Sequence, residues 1–180
     1  MSMLLEDAMV VTCDDDRRVL PEASVLVVDG RIAAVGDRDE LRAGAPDAER
    51  VDLAGKALLP GLVNAHTHTV LTVLRGTVED MSGDAVYGYM SPISFAMTPS
   101  ERQAMARLGC LEAIKSGTTT LVDPFRHVVD YAEAMIETGL RLYLAENAAD
   151  ARTLDIRHGR YTYDRAWGQP FLDRTVELIE

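Results

Sequence analysis

Leu58-Leu-Pro-Gly-Leu-Val-Asn-Ala-His-Thr-His-Thr-Val-Leu-Thr-Val-Leu-Arg75 is the stretch that decides the fold, and His66-Thr-His68 at its centre decides the chemistry. Side chains of an extended strand alternate faces, so two histidines two apart project from the same face. Two neutral imidazoles side by side make half of a divalent metal site of the kind zinc accepts. The apolar and β-branched residues around the pair predict a buried strand, entered from a turn at Pro60-Gly61. Taken alone, His-x-His is also what a solvated strand face or two hydrogen-bonded core histidines would show. Asn64 ahead of the pair and Leu74-Arg75-Gly76 behind it favour the metal reading.

Downstream, strands and helices alternate. Thr98-Pro-Ser-Glu101 is a capping box with proline at the first helical position. The helix it opens is expected to bury Ala104, Leu108, Leu111 and Ile114 and to stop at Gly117. Thr118 to Val122 is a β-branched strand, followed by Asp123-Pro-Phe-Arg-His127. Val128, Ala132, Met135 and Ile136 are expected to line the next helix, Leu140 to Ala145 to form a third strand, and Phe171 to Glu180 a third helix. Strand-helix repeats at this spacing predict parallel βα units.

Upstream, Leu4 to Thr12 and Glu22 to Val28 read as strands, and Asp29-Gly30 is a hairpin signal leading into Ile32 to Val35. Asp14-Asp15-Asp16-Arg17-Arg18 reads as a solvated charged turn rather than a metal site. Asp37 to Arg50 predicts a short helix and loop before Val51 to Ala57 returns to the sheet.

Composition is that of an ordinary folded protein, 47% hydrophobic and 26% charged, and the net charge of −11 argues against nucleic-acid or anionic-membrane partners. Only Cys13 and Cys110 occur, which suggests a reducing compartment with both as small apolar fillers. No apolar run approaches membrane-spanning length, and the expected location is the cytoplasm.

The string from His66 through Leu74-Arg75-Gly76 to Glu79-Asp80 resembles the first barrel strand and loop of the amidohydrolase superfamily, metal-dependent hydrolases built on a (β/α)8 barrel. Within it, the string is most similar to the branch of S-adenosylhomocysteine/methylthioadenosine deaminases, s-triazine chlorohydrolases and guanine deaminase-like enzymes. The likeness runs from about Leu4 to the end of the chain but covers well under half of such an enzyme. The fold class expected is α/β. Residues 1–59 would form part of a small N-terminal β-sandwich, and residues 60–180 the first three β/α units of a TIM-type barrel, left incomplete. Length agrees, since an eight-stranded barrel takes about 250 residues and the chain has 180. The chain also stops inside a helical pattern, so we expect the N-terminal portion of a longer enzyme, with a self-contained three-layer domain as the alternative.

The resemblance implies one divalent metal ion, zinc or else iron, held in part by His66 and His68. It implies hydrolysis of a carbon–nitrogen bond in an aminated heterocycle by metal-activated water. The remaining ligands and the proton-shuttling glutamate of resembling enzymes follow later strands, so no catalytic residue is expected within this chain, and alone it should bind metal weakly and turn over nothing. The partner expected is a small-molecule substrate, with a homo-oligomer for the full-length enzyme. Barrel chemistry sits after the C-terminal ends of strands, which selects three loops here. Thr69 to Met97, with Tyr87, Tyr89 and Phe95, is a candidate substrate cover. Asp123 to His127 offers His127 as a candidate substrate contact, with a plain loop histidine as the alternative. Glu146 to Pro170, with Arg152, Arg157, His158 and Arg160, reads better as a solvated loop. Nucleoside deaminases of the branch carry a glutamate after a Pro-Ile pair; here Pro92-Ile93 is followed by Ser94, the second candidate substrate contact. A serine lacks the charge and bidentate reach of a carboxylate, which argues against an adenosine-type substrate. Two other functions stay open: a cyclic-amide hydrolase of the dihydropyrimidinase type, which the Leu74-Arg75-Gly76 context disfavours, and a non-catalytic half-barrel subunit.

Overall fold

Alternation between buried and open residues sets the first strand. Leu4, Glu6, Ala8 and Val10 of β1 (Ser2–Val11) all point inward, as a half-buried strand requires. β2 (Val19–Val28) lies antiparallel to it, and β3 (Arg31–Gly36) returns alongside β2. The link is the two-residue Asp29-Gly30 turn, with φ of 49° and 73°, the doubly positive geometry that matches strand twist in tight hairpins. After α1 (Arg38–Gly44), capped by the Asp37 carboxylate, β4 (Glu49–Asp52) and β5 (Ala57–Leu58) both pair in parallel with β1. The sheet order is β3-β2-β1-β4 with β5 also on β1. Glu6 is buried because Arg42 Nε and Nη2 grip its two oxygens at 2.6 and 2.8 Å, and a buried carboxylate needs such a partner. The Asp14–Arg18 turn is closed by its own exposed ion pair at 2.5 Å. Cys13 beside it is exposed, which corrects the expectation of two buried fillers; only Cys110 packs in a core.

The computed structural model describes residues 1–81 and 84–179 and divides them at Pro60 and Gly61 into two units. Ser82 and Gly83 of the expected covering loop, and Glu180 of the expected third helix, lie outside the described residues. In the second unit three parallel strands run β6-β7-β8: β6 (Leu62–Asn64), β7 (Thr118–Phe125) and β8 (Arg141–Glu146). Between β6 and β7 come a 3-10 turn at Thr69–Leu74, a π turn at Val86–Met90, α2 (Ser91–Ala96) and α3 (Pro99–Lys115). A 3-10 turn at Val128–Asp130 and α4 (Ala132–Ile136) connect β7 to β8; α5 (Thr153–Ile156) and α6 (Arg165–Ile179) follow. The core beneath the helices is Val70, Met97, Ala106, Cys110, Leu121, Phe125, Val128, Tyr131 and Met135. These are parallel βα units, as the strand–helix alternation predicts.

Three expectations are corrected. The capping box forms as read, Thr98 Oγ1 accepting from Glu101 N and the Glu101 carboxylate from Thr98 N. Yet the face α3 buries is Arg102, Ala106 and Cys110, while Ala104, Leu108, Leu111 and Ile114 are exposed. Both stripes have helical period, so periodicity could not choose between them; side-chain size does. On the buried side sits Gly109, where an added Cβ would lie 2.8 Å from the Thr69 carbonyl oxygen. Small residues let α3 approach the Thr69–Leu74 turn more closely than leucines would allow. In the second helical segment Val128 and Met135 are buried as expected, but Ile136 is 61% exposed and Tyr131 takes the inward place. α6 starts at Arg165, six residues early, because the Asp164 carboxylate accepts from Trp167 N at 3.2 Å and opens a helix that carries Pro170 inside it.

Candidate metal centre

The histidine pair does not lie within a buried strand. β6 ends at Asn64, whose side-chain oxygen accepts from His66 N at 3.2 Å. Thr67 N still donates to Val122 O of β7 at 2.9 Å, and Leu71 N donates to His68 O at 3.0 Å as the chain bends into its 3-10 turn. His66 is exposed and His68 partly buried. The pair therefore sits just past the C-terminal end of its strand, anchored by one ladder bond and two side-chain or turn bonds.

The rings nonetheless converge. Their Nε2 atoms are 3.3 Å apart and the ring centroids 4.8 Å, with planes at 70°. Two nitrogens bound to one tetrahedral zinc, each at 2.0–2.1 Å, stand about 3.3–3.4 Å from each other. The pair already has that spacing, so these residues fit a divalent metal and would hold it through both Nε2 atoms. Among the described residues no group of three or more histidine, cysteine or acidic side chains comes together. Catalytic zinc takes three protein ligands, and the described residues bring together two.

His68 is held from behind. Its ring lies against Phe125, centroids 4.4 Å apart. Its Nδ1 is 3.7 Å from Oδ1 of Asp123, a carboxylate with no exposure at all. Asp123 Oδ2 accepts from Thr69 N at 3.0 Å and from Thr69 Oγ1 at 2.6 Å. Sequence reading gave Asp123 no role. Its signal was there: Leu121, Asp123 and Phe125 share one face of β7, and an acid on an inward apolar face needs a purpose.

The two candidate substrate contacts are placed elsewhere. Ser94 is 2% exposed and its hydroxyl donates to Ser91 O at 2.7 Å inside α2, while its carbonyl accepts from Arg102 Nη2. Its hydroxyl is committed within the helix and buried, and the position after Pro92-Ile93 offers no carboxylate. His127 stands at φ 60° beyond β7, its backbone N and that of Val128 both donating to the Glu146 carboxylate. Its ring packs between Phe95 and Phe171 at centroid distances of 5.5 and 5.8 Å, and both ring nitrogens are buried without a hydrogen-bond partner among the described residues. Burial first, then the nearby Arg102 and Arg174 cations, push its pKa down to about 4. Burial pushes the Glu146 carboxyl the other way, upward. Phe95 thus packs in an aromatic cluster with His127, Trp167 and Phe171. The Arg-rich loop neutralises itself: Arg152 pairs with Asp155 and Asp164, and Arg160 with Asp155.

Comparison with known proteins places these features. The amidohydrolase family model matches residues 57–175, and a bacterial imidazolonepropionase-like composite domain matches residues 25–48. A 5-methylthioadenosine/S-adenosylhomocysteine deaminase of Acetivibrio thermocellus is 31% identical over 183 residues, which is 100% of this chain and 42% of that protein. The atrazine chlorohydrolase of Arthrobacter aurescens TC1, solved with zinc, superposes with a TM-score of 0.68 at 25% identity, over 82% of this chain and 36% of that one. Aminofutalosine deaminase of Helicobacter pylori, solved with methylthio-coformycin, reaches a TM-score of 0.76 at 19% identity over 98% of this chain and 40% of that one. The chain spans about two fifths of the length of the curated relative it matches along its full extent.

Proposed function

The chain belongs to the amidohydrolase family, and we propose that it supplies the histidine half of the metal site in a hydrolase that deaminates an aminated heterocycle. The observation that carries this reading is the 3.3 Å separation of the His66 and His68 Nε2 atoms. The relatives favour deamination: proteins similar to this one are named as deaminases of methylthioadenosine, S-adenosylhomocysteine and 5'-deoxyadenosine. The ion we assign is zinc, the metal present in the similar chlorohydrolase.

Within this chain, His66 and His68 would hold the ion just past the C-terminal end of β6. When bound, such an ion supplies the Lewis acidity that activates water at neutral pH. Asn64 fixes the turn that presents His66. The aromatic cluster of Phe95, His127, Trp167 and Phe171 walls the ends of β7 and β8 and excludes water from that side. The proton-transfer groups belong to parts of a full-length enzyme outside these residues.

Zinc titration of the chain, followed by competition with a chromophoric chelator, tests the metal reading. The wild type binds weakly, and the His66→Ala/His68→Ala double variant loses that binding. Equal zinc binding by the double variant overturns the assignment. Ammonia release from 5'-methylthioadenosine, 5'-deoxyadenosine and an amino-triazine, assayed with the protein at its native length, tests the reaction. Hydrolysis of a cyclic amide with no ammonia from any amino-heterocycle favours the dihydropyrimidinase-type reading instead.

A further inference from the structure

We propose that Asp123 is a positioning residue that fixes which nitrogen of His68 carries its proton, and so makes Nε2 available to a metal. The inference rests on the assignment of His66 and His68 as ligands. A neutral imidazole has one donor and one acceptor nitrogen, so it ligates through Nε2 only when the proton is on Nδ1. His68 Nδ1 and Asp123 Oδ1 are both buried, both lack a hydrogen-bond partner among the described residues, and face each other at 3.7 Å. A buried carboxylate oxygen in that place accepts and cannot donate, so it selects the Nδ1–H form of the ring.

The rest of the geometry holds the carboxylate for that purpose. Its other oxygen is fixed by two donors from Thr69, the residue after His68. Thr69 is therefore both chain neighbour of the ligand and clamp on its orienting acid. Phe125, two residues beyond Asp123 on β7, lies against the His68 ring with centroids 4.4 Å apart. The convergence of the two Nε2 atoms agrees: at 3.3 Å at most one can carry a proton. Carboxylate partners of metal-bound histidines commonly change metal affinity 10–100-fold when removed.

The test is Asp123→Asn. With its amide oxygen held by the two Thr69 donors, the asparagine NH2 faces His68 Nδ1 and drives the proton to Nε2. The expected result is a loss of roughly 10–100-fold in zinc affinity and inversion of the His68 ring 15N shifts, from Nδ1–H to Nε2–H, in the metal-free protein. Met135→Ala is the control: Met135 is buried against Thr69 Oγ1, carries no charge, and its loss lowers stability without changing the tautomer. Should Asp123→Asn not fold, the wild-type spectrum decides: an Nε2–H tautomer for His68 in the metal-free wild type overturns the proposal. So does an Asp123→Asn protein with unchanged zinc affinity and unchanged tautomer. Absence of zinc binding by the wild type itself, with His68 in the Nδ1–H form, would instead count against the ligand assignment.

Discussion

His127 carries the clearest pH signature at the scale of single residues. Its pKa is pushed down to about 4 in the folded chain, by burial and then by Arg102 and Arg174, with Asp130 opposing. An exposed histidine titrates near 6.5, so between about pH 6.5 and 4 the unfolded chain binds a proton that the folded chain refuses. Stability therefore falls as pH drops through that window. Glu146, raised by burial, works with the opposite sign, holding a proton when folded and losing stability as pH rises through its folded pKa. His127→Phe, which keeps a ring between Phe95 and Phe171, should flatten the acid-side slope by up to one proton, about 1.4 kcal/mol per pH unit. Urea melts at pH 4.5, 5.5 and 6.5 check this; an unchanged slope would mean His127 titrates normally. The convergence of His66 and His68 was legible because two histidines two positions apart in extended chain project from the same face. Asp123 was legible only as an acid alternating with Leu121 and Phe125; its partners Thr69 and His68 lie 54 and 55 positions away in sequence and only the β6–β7 register brings them together.

At the scale of elements, sequence and structure agree wherever a local bond decides. The Asp29-Gly30 hairpin, the Thr98–Glu101 box and β8 form where read, while β7 runs on to Phe125 and takes in Asp123, which was read as the start of a loop. They part where a choice depends on what lies opposite, as on α3, where the face of Ala106, Gly109 and Cys110, with Arg102 paired to Asp130, packs in place of the leucine stripe. Thr98→Ala removes the cap from α3 and should cost about 1 kcal/mol, seen as a lower urea midpoint at unchanged slope. Leu111→Gln, on the exposed stripe, should change stability in this chain by less than about 0.5 kcal/mol. Ala106→Leu, on the buried one, should cost about 1–3 kcal/mol through overpacking. The reverse order of costs would restore the leucine face as the packed one. Gly109→Ala pushes a Cβ into the Thr69 carbonyl, so it should loosen the turn behind His68 and weaken zinc binding along with stability.

For the whole molecule, the open parallel sheet governs behaviour. Leu62 and Val63 of β6 are 57% and 65% exposed and Tyr143 of β8 is 66% exposed, so the buried strand expected around the histidines is instead an apolar edge. Apolar strand edges recruit other chains. Sedimentation velocity should show concentration-dependent self-association of this 180-residue chain, and Val63→Lys should shift it toward monomer; a wild type monomeric at every concentration would contradict this. The division near Pro60 was readable from the change in strand–helix rhythm, whereas which surfaces stay open was not, because that depends on neighbours the rhythm does not record. Finally, every group that shapes the imidazole pair (Asn64, Thr69, Gly109, Asp123 and Phe125) falls within 62 positions of one another. A nascent polypeptide that has cleared the ribosome past β8 already carries every one of these groups, so the surroundings of the two rings can assemble while synthesis is still under way.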